Sequence, residues 1–251
     1  MPAKPRVKPG FRQQLETRER ECFQFLNRLP MERDYVLIGG YAVSSFHFPR
    51  YSVDLDIAVD EEDTSFFREL AASLGFTPVP SKDEVEPMYR GRSEKFVKDI
   101  GVKVGIDLYI NSVQSRDTGC AYSFQYLFAN SEMREIRGRS LEARTSARVA
   151  DKEMLIALKA QPMRPQDMGD IIALCYDRPN KSDVITHLRK CPGKKILDNL
   201  GKLQAYIDNP KPDSVRGAFS FGRREFKECV ENCRSLMFSV YKNLSEPTRK
   251  K

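Results

Sequence analysis

Residues 35–59 read YVLIGGYAVSSFHFPRYSVDLDIAV and contain the pattern from which the fold follows. A short apolar run ends in two adjacent glycines, and the next apolar run carries two aspartates one residue apart. The pattern predicts a strand over 35–38, a glycine turn into a short helix over 41–48, and a second strand over 53–59. The carboxylates in that second strand need a partner, because unpaired buried charge is costly.

The aspartates fall on one face of the second predicted strand. Side chains alternate between the two faces of a strand, so Asp54 and Asp56 share a face opposite the aliphatic residues. A predicted strand over 102–110 repeats the arrangement with Asp107. If these strands are neighbours, the three carboxylates converge and repel one another unless cations join them, as a pair of Mg²⁺ ions would. The alternative is that each aspartate lies at the solvated edge of an antiparallel sheet and only keeps the sheet soluble.

The glycine pair is suited to binding an anion. Gly39 and Gly40 let the backbone approach a ligand closely, and the start of the following helix offers unpaired N–H groups to a triphosphate. The spacing matches neither the dinucleotide-binding glycine motif nor the P-loop. A plain strand-to-helix turn is the alternative interpretation.

Composition describes a water-soluble chain of 251 residues, long enough for a substantial core. Charged residues make up 31% of it, and no apolar run approaches the roughly 18 residues of a membrane helix, so we expect no membrane association. The formal net charge of +7 suits a partner that carries phosphates, and it equally describes a solvated basic surface.

Cysteine and histidine usage narrows the chemistry. The six cysteines include no CxxC pair, and the N-terminus has no apolar signal-peptide core, so we expect a cytoplasmic protein that needs no disulfides. The only histidines are His47 and His187, which argues against Ser/His/Asp hydrolysis and histidine-rich zinc sites. Any metal is therefore expected to have oxygen ligands.

The periodicity of the chain changes near residue 150. We predict a basic tail and lead-in helix over 1–30, a domain with a sheet over 31–150, and a helical domain over 151–251. The predicted fold class is α+β: a small mixed or antiparallel sheet flanked by helices, followed by a C-terminal helical lobe.

The motifs together resemble those of the nucleotidyltransferase superfamily typified by polymerase beta. That family carries hG[GS], then Dh[DE]h, then a third acid, which correspond here to Gly39-Gly40, DLD at 54–56 and Asp107. The lead-in RYSVD at 50–54 resembles the R-x-[ST]-x-D form of toxin-type members. LIALKAQPMRPQDMGDI at 155–171 is similar to a further motif of AbiEii-like toxin nucleotidyltransferases.

The resemblance implies transfer of a nucleoside monophosphate from an NTP to an acceptor hydroxyl, with release of pyrophosphate. It implies two Mg²⁺ ions, or Mn²⁺ in their place, held by Asp54, Asp56 and Asp107, with Lys159 as a further catalytic residue. The nucleotide-binding residues that it implies are Gly39, Gly40, Arg50, Ser52, Lys159, Arg164, Asp167 and Asp170. Helix capping is the alternative role for Asp167 and Asp170. Gly40 stands where many relatives have serine.

The acceptor is left open by the sequence. The resemblance implies an RNA acceptor, such as a tRNA end, and a cognate antitoxin as partner. Arginine-rich 134–148 and RGAFSFGRREFK at 216–227 mix arginine and phenylalanine, which suits RNA backbones and bases but also solvated faces over core phenylalanines. The alternatives are modification of a protein or small molecule, such as an antibiotic, and a catalytically idle protein that binds RNA or a partner.

Overall fold

A seven-stranded mixed sheet organises the protein in a computed structural model that describes residues 10–80, 85–140, 143–209 and 212–245. The elements up to the middle of the chain are α1 (Phe11–Leu26), β1 (Tyr35–Ile38), α2 (Gly39–Ser44), β2 (Asp54–Val59), α3 (Thr64–Ser73), β3 (Thr77–Val79), β4 (Arg92–Asp99), β5 (Lys103–Ile110), β6 (Ser112–Gln114), β7 (Ala121–Ser123) and α4 (Phe124–Ala129). The remaining elements are β8 (Ser131–Arg137), β9 (Arg144–Ala150), α5 (Lys152–Lys159), α6 (Pro165–Leu174), α7 (Lys181–Leu188), α8 (Gly193–Asp208), α9 (Pro212–Phe219) and α10 (Arg223–Ser245).

The sheet has the strand order β3-β4-β5-β2-β1-β9-β8. Strand β2 is parallel to β5 and β1 is parallel to β9, whereas the other neighbours are antiparallel. Strands β6 and β7 form a separate hairpin. The predicted α+β class with a mixed sheet and flanking helices is confirmed.

Alternation within β2 and β5 follows the sequence pattern. Leu55 and Ile57 in β2, and Ile106 and Leu108 in β5, are fully buried on the aliphatic face. On the opposite face Ala58 is also fully buried, so the acidic face is covered at one end and open only toward Asp54 and Asp56. This geometry confines the carboxylates to one edge of the core.

The helical part begins where the periodicity predicts. The last described strand ends at Ala150 and α5 begins at Lys152. The division into separate domains stays a prediction, and the first nine residues of the predicted basic tail lie outside the described residues. Helix α2 begins at Gly39, two residues before its predicted start, and ends at Ser44, four residues before its predicted end. The Ser45 hydroxyl follows it and donates to the carbonyl oxygen of Ala42 at 2.7 Å.

Two further observations bear on the expected setting of the protein. Cys120 and Cys191 form a disulfide, so the expectation of a protein without disulfides is wrong. Their sequence separation of 71 residues leaves no local signal of pairing. In the described ranges, none of the helices is long and apolar enough to cross a bilayer.

Candidate active site

An open cleft of about 1200 Å³ lies between the sheet and the first helices of the C-terminal part. Residues of β2, β4 and β5 line it together with residues of α5, α6 and the loop between them. Six predicted site residues are among the lining residues: Gly39, Asp56, Asp107, Lys159, Arg164 and Asp167. Sequence motifs more than 100 residues apart therefore meet at one cleft.

Strand register places the acidic residues side by side. Parallel pairing of β2 with β5 sets Asp56 opposite Asp107 and Asp54 opposite Gly105. Burial raises the pKa of Asp56 to about 7, and repulsion from Asp54 and Asp107 adds to the rise while Lys159 opposes it. A proton or a bound cation would relieve this repulsion.

Gly39 allows the chain to turn directly over Asp56. Antiparallel register pairs Ile38 with Asp56, so the residue after β1 lies against that carboxylate. Gly39 has φ +74°, and a Cβ built there would overlap the Asp56 carboxylate. Only glycine satisfies both the left-handed backbone and the close approach.

Gly40 has a different reason to be glycine. A Cβ at Gly40 would overlap the side chain of Ser52 and lie 2.9 Å from Nη1 of Arg50. The Ser52 hydroxyl thus lies directly against Gly40. Gly40 and Ser52 are buried and are not among the described residues that line the cleft.

Two residues that the sequence analysis did not assign to the site contact the aspartates. Lys95 Nζ donates to Asp107 Oδ1 at 2.9 Å and to Oδ2 at 3.0 Å. The Tyr109 hydroxyl donates to Asp56 Oδ1 at 3.4 Å, and burial together with the nearby carboxylates raises the pKa of Tyr109 well above its usual range. Tyr109 could be found from its alternation with Asp107, and Lys95 from the hairpin register that sets it opposite Asp107.

Arg50 and four residues of the 155–171 segment form one chain of alternating charges. Arg50 donates from Nε to Asp170 Oδ1 at 2.7 Å and from Nη2 to Asp170 Oδ2 at 2.8 Å. Lys159 Nζ lies 3.0 Å from Asp170 Oδ2 and 3.4 Å from Asp167 Oδ1. Arg164 completes the chain with a 2.7 Å bond from Nε to Asp167 Oδ2. This network joins the lead-in to β2 with α5 and α6.

Burial within the network separates its members into two groups. Arg50 and Asp170 are buried on each other and are not among the cleft-lining residues described, so their direct contact with a nucleotide stays a prediction. Arg164 is 68% exposed and lines the cleft. Asp167 also accepts the Arg164 backbone N–H, which is the capping role that the sequence left open.

Hydrogen bonding keeps Asp167 ionised. Burial alone would raise the pKa of Asp167, but hydrogen bonds from Arg164 and the charge of Lys159 outweigh it, so the pKa lies below its usual range. The network therefore holds three cations against two anions and leaves one positive charge in excess next to the acidic strands.

The donor chemistry of the acidic residues fits a divalent cation. Asp56 and Asp107 offer carboxylate oxygens from adjacent strands in register, and burial, followed by repulsion from Asp54 and Asp107, raises the pKa of Asp56. As the side chains stand, no three His, Cys, Asp or Glu residues of the described ranges are grouped as a metal site. The Lys95 ammonium already occupies both oxygens of Asp107.

Solved structures resemble this chain along nearly its whole length. A crystal structure of a "putative nucleotidyltransferase from H. pylori" has a TM-score of 0.50 at 16% identity, covering 92% of this chain and 97% of that one. The chain has the nucleotidyltransferase fold. This likeness assigns the fold and leaves the reaction to be argued from the site.

Two further structures are less similar. JHP933 from Helicobacter pylori gives a TM-score of 0.49 at 16% identity, with 92% and 94% of the two chains covered. The CdnE cyclic dinucleotide synthase of Elizabethkingia meningoseptica, solved with GTP and Apcpp, gives 0.26 at 9% identity over 95% of this chain and 100% of that one. Both scores lie below 0.5, so the fold assignment rests on the first structure. The sequence matches no protein-family model and no curated protein.

Proposed function

We propose that the protein is a Mg²⁺-dependent nucleotidyltransferase that moves a nucleoside monophosphate from an NTP to an acceptor hydroxyl. The proposal rests on one arrangement: the turn at Gly39 lies against Asp56 of β2, and Asp56 is paired in register with Asp107 of β5. A strand turn that admits only glycine beside paired carboxylates suits a bound triphosphate and its metal ions. The nucleotidyltransferase fold supports the same reading.

Asp56 and Asp107 would hold the metal ions, with Asp54 as the third carboxylate. Bound there, Mg²⁺ or Mn²⁺ would neutralise phosphate charge and lower the pKa of the attacking hydroxyl. Tyr109 orients Asp56 through its hydroxyl, and the Gly39 backbone, which lies close against that carboxylate, would bring its N–H groups toward a phosphate bound beside it.

Arg164 is the better candidate for direct contact with the phosphates. Its side chain is exposed in the cleft, so its guanidinium can reach a ligand while keeping its bond to Asp167. Lys159 lies in the same cleft but is held by both Asp167 and Asp170, which neutralise much of its charge. Arg50 and Asp170 would then fix the position of Lys159 from behind.

Within the superfamily we propose the AbiEii-like, toxin-type group with a cognate antitoxin. The support is that Arg50, Lys159, Arg164, Asp167 and Asp170, which carry that resemblance, lie in one continuous ion-pair network. Such convergence is expected if these residues form one motif. It is not expected if each aspartate merely caps a helix.

For the acceptor we propose an RNA, such as a tRNA end, on the strength of the net charge of +7. The aromatic residues of 216–227 give no further support, because Phe219, Phe221 and Phe226 are buried and pack as core. The guanidinium carbon of Arg134 lies 4.1 Å from the ring centre of Phe46, and that of Arg148 lies 4.4 Å from the ring centre of Phe128. These two arginines therefore already stack on aromatic rings of the protein.

The test is incubation with each labelled NTP, Mg²⁺ and total RNA, with the protein itself and small-molecule fractions as competing acceptors. We expect label in RNA from the wild type and from Asp198→Asn, a surface control on α8, and none from Asp56→Asn. Label in protein or a small molecule would replace the RNA assignment. Absence of label from every acceptor would contradict the proposed activity.

A further inference from the structure

A lysine occupies the acidic site of this protein. Lys95 lies in β4 directly opposite Asp107 in β5, and its Nζ bonds both oxygens of that carboxylate. The lysine side chain is 46% exposed, so it can leave the carboxylate for solvent without disturbing the core.

A residue of β5 shows where the Lys95 ammonium lies on the sheet. Gly105 lies two residues before Asp107 on the same face of β5 and is paired with Asp54 of β2. A Cβ built at Gly105 would lie 3.7 Å from Lys95 Nζ and 3.4 Å from Asp54 Cβ. The ammonium therefore lies over the strand surface between Asp54 and Asp107.

A metal ion and the ammonium would lie side by side on the same carboxylate. Each oxygen of Asp107 already accepts a bond from Lys95, and a divalent ion on Asp107 would be close enough to repel that ammonium. The two cations therefore compete for one carboxylate. Whichever is bound also compensates the repulsion among the aspartates.

We propose that Lys95 is a positioning residue that acts as an internal counter-cation, holding Asp107 in the metal-free protein and releasing it when a divalent ion binds. The proposal rests on the proposed function, since it concerns the metal ligands of that site. Its consequence is that Lys95 weakens metal binding and so sets the metal concentration at which the site fills.

The experiment measures Mn²⁺ binding to metal-free protein in the absence of nucleotide, with free Mn²⁺ followed by electron paramagnetic resonance. Lys95→Met removes the charge and keeps much of the side-chain bulk, Lys95→Arg keeps the charge, and Lys103→Met is an exposed control at the start of β5. Asp56→Asn tests whether the bound ion occupies this site. Circular dichroism verifies that each variant is folded.

We expect Lys95→Met to bind Mn²⁺ about two- to fivefold more tightly than the wild type. This factor corresponds to the strength of the half-exposed ion pair with which the metal no longer competes. Lys95→Arg and Lys103→Met should bind like the wild type, and Asp56→Asn should bind at least several-fold more weakly. The metal-free Lys95→Met protein should also melt at a lower temperature and regain more of its stability on adding Mn²⁺.

Equal or weaker Mn²⁺ binding by folded Lys95→Met overturns the competition while leaving the metal site of the proposed function intact. If Lys95→Met does not fold without metal, recovery of the folded circular dichroism spectrum on addition of Mn²⁺ supports the proposal, and failure to recover it contradicts the proposal. Mn²⁺ binding by none of the proteins overturns both this proposal and the metal assignment.

Discussion

Replacing Gly39 with alanine separates backbone strain from damage to the candidate site. Gly39 has φ +74°, where an L-residue other than glycine costs about 1–2 kcal/mol. The new methyl group would also lie within 2.6 Å of Asp56 Cγ and overlap the carboxylate. Because Gly39 is followed by buried Gly40 and Tyr41, we expect the carboxylate of Asp56 to move rather than the helix.

Gly101 provides a matched control for that change. It has φ +87° in the turn between β4 and β5, and a Cβ built there meets no atom within 4 Å. Gly101→Ala should therefore lose about 1–2 kcal/mol in the free energy of unfolding and keep its activity. Gly39→Ala should lose at least as much stability and, in addition, about 100-fold in the rate of nucleotide transfer, the cost of misplacing a reacting group by about 1 Å.

Two measurements check the comparison: urea denaturation followed by circular dichroism, and transfer of labelled nucleotide at saturating NTP and Mg²⁺. Equal transfer rates for the Gly39→Ala and Gly101→Ala proteins would refute the reasoning, because the contact between the turn and Asp56 would then have no part in the reaction.

Three other perturbations test the surroundings of the site. Asp170→Asn leaves Arg50 buried without its ion partner, so denaturation should report a loss of about 3–5 kcal/mol, against almost none for a surface Asp→Asn change; a loss below about 1 kcal/mol would contradict the buried pair. The raised pKa of Asp56 means that the folded protein holds this proton more tightly than the unfolded chain, so the wild type loses stability as pH rises from 3.8 through about 7. Asp56→Asn has no such proton and should therefore become more stable relative to the wild type over that range. A pH-independent difference between the two proteins would contradict this. Reduction of the Cys120–Cys191 disulfide, which closes a loop of 71 residues, should lower the unfolding free energy by about 4 kcal/mol, and a free thiol at both positions in unreduced protein by mass spectrometry would contradict the bond.

Local periodicity was enough to predict the elements that carry the candidate site. Strands β1 and β2, with the turn between them, follow from apolar runs, two glycines and alternating carboxylates. The same alternation placed Asp107 on the face shared with Asp54 and Asp56. These signals are contained within ten residues or so, which is why a single sequence suffices for them.

Two features of the structure could not be predicted in the same way. Strand β8 reads SEMREIR, a charged edge strand without a clear apolar face, and only its pairing with the nearby strand β9 identifies it. The bond between Arg50 and Asp170 spans 120 residues. Both residues were predicted as nucleotide contacts from the motif, whereas their burial on each other depends on how α6 packs, which no local pattern reveals.

The most direct test of the central claim is a crystal structure with Mn²⁺ and a non-hydrolysable NTP analogue, with anomalous scattering used to locate the metal. We expect a peak about 2.0–2.2 Å from carboxylate oxygens of Asp56 and Asp107, with the triphosphate beside Gly39 and Lys95 displaced from Asp107. Nucleotide bound in the cleft with no metal on Asp56 or Asp107, or metal and nucleotide bound elsewhere, would contradict the account.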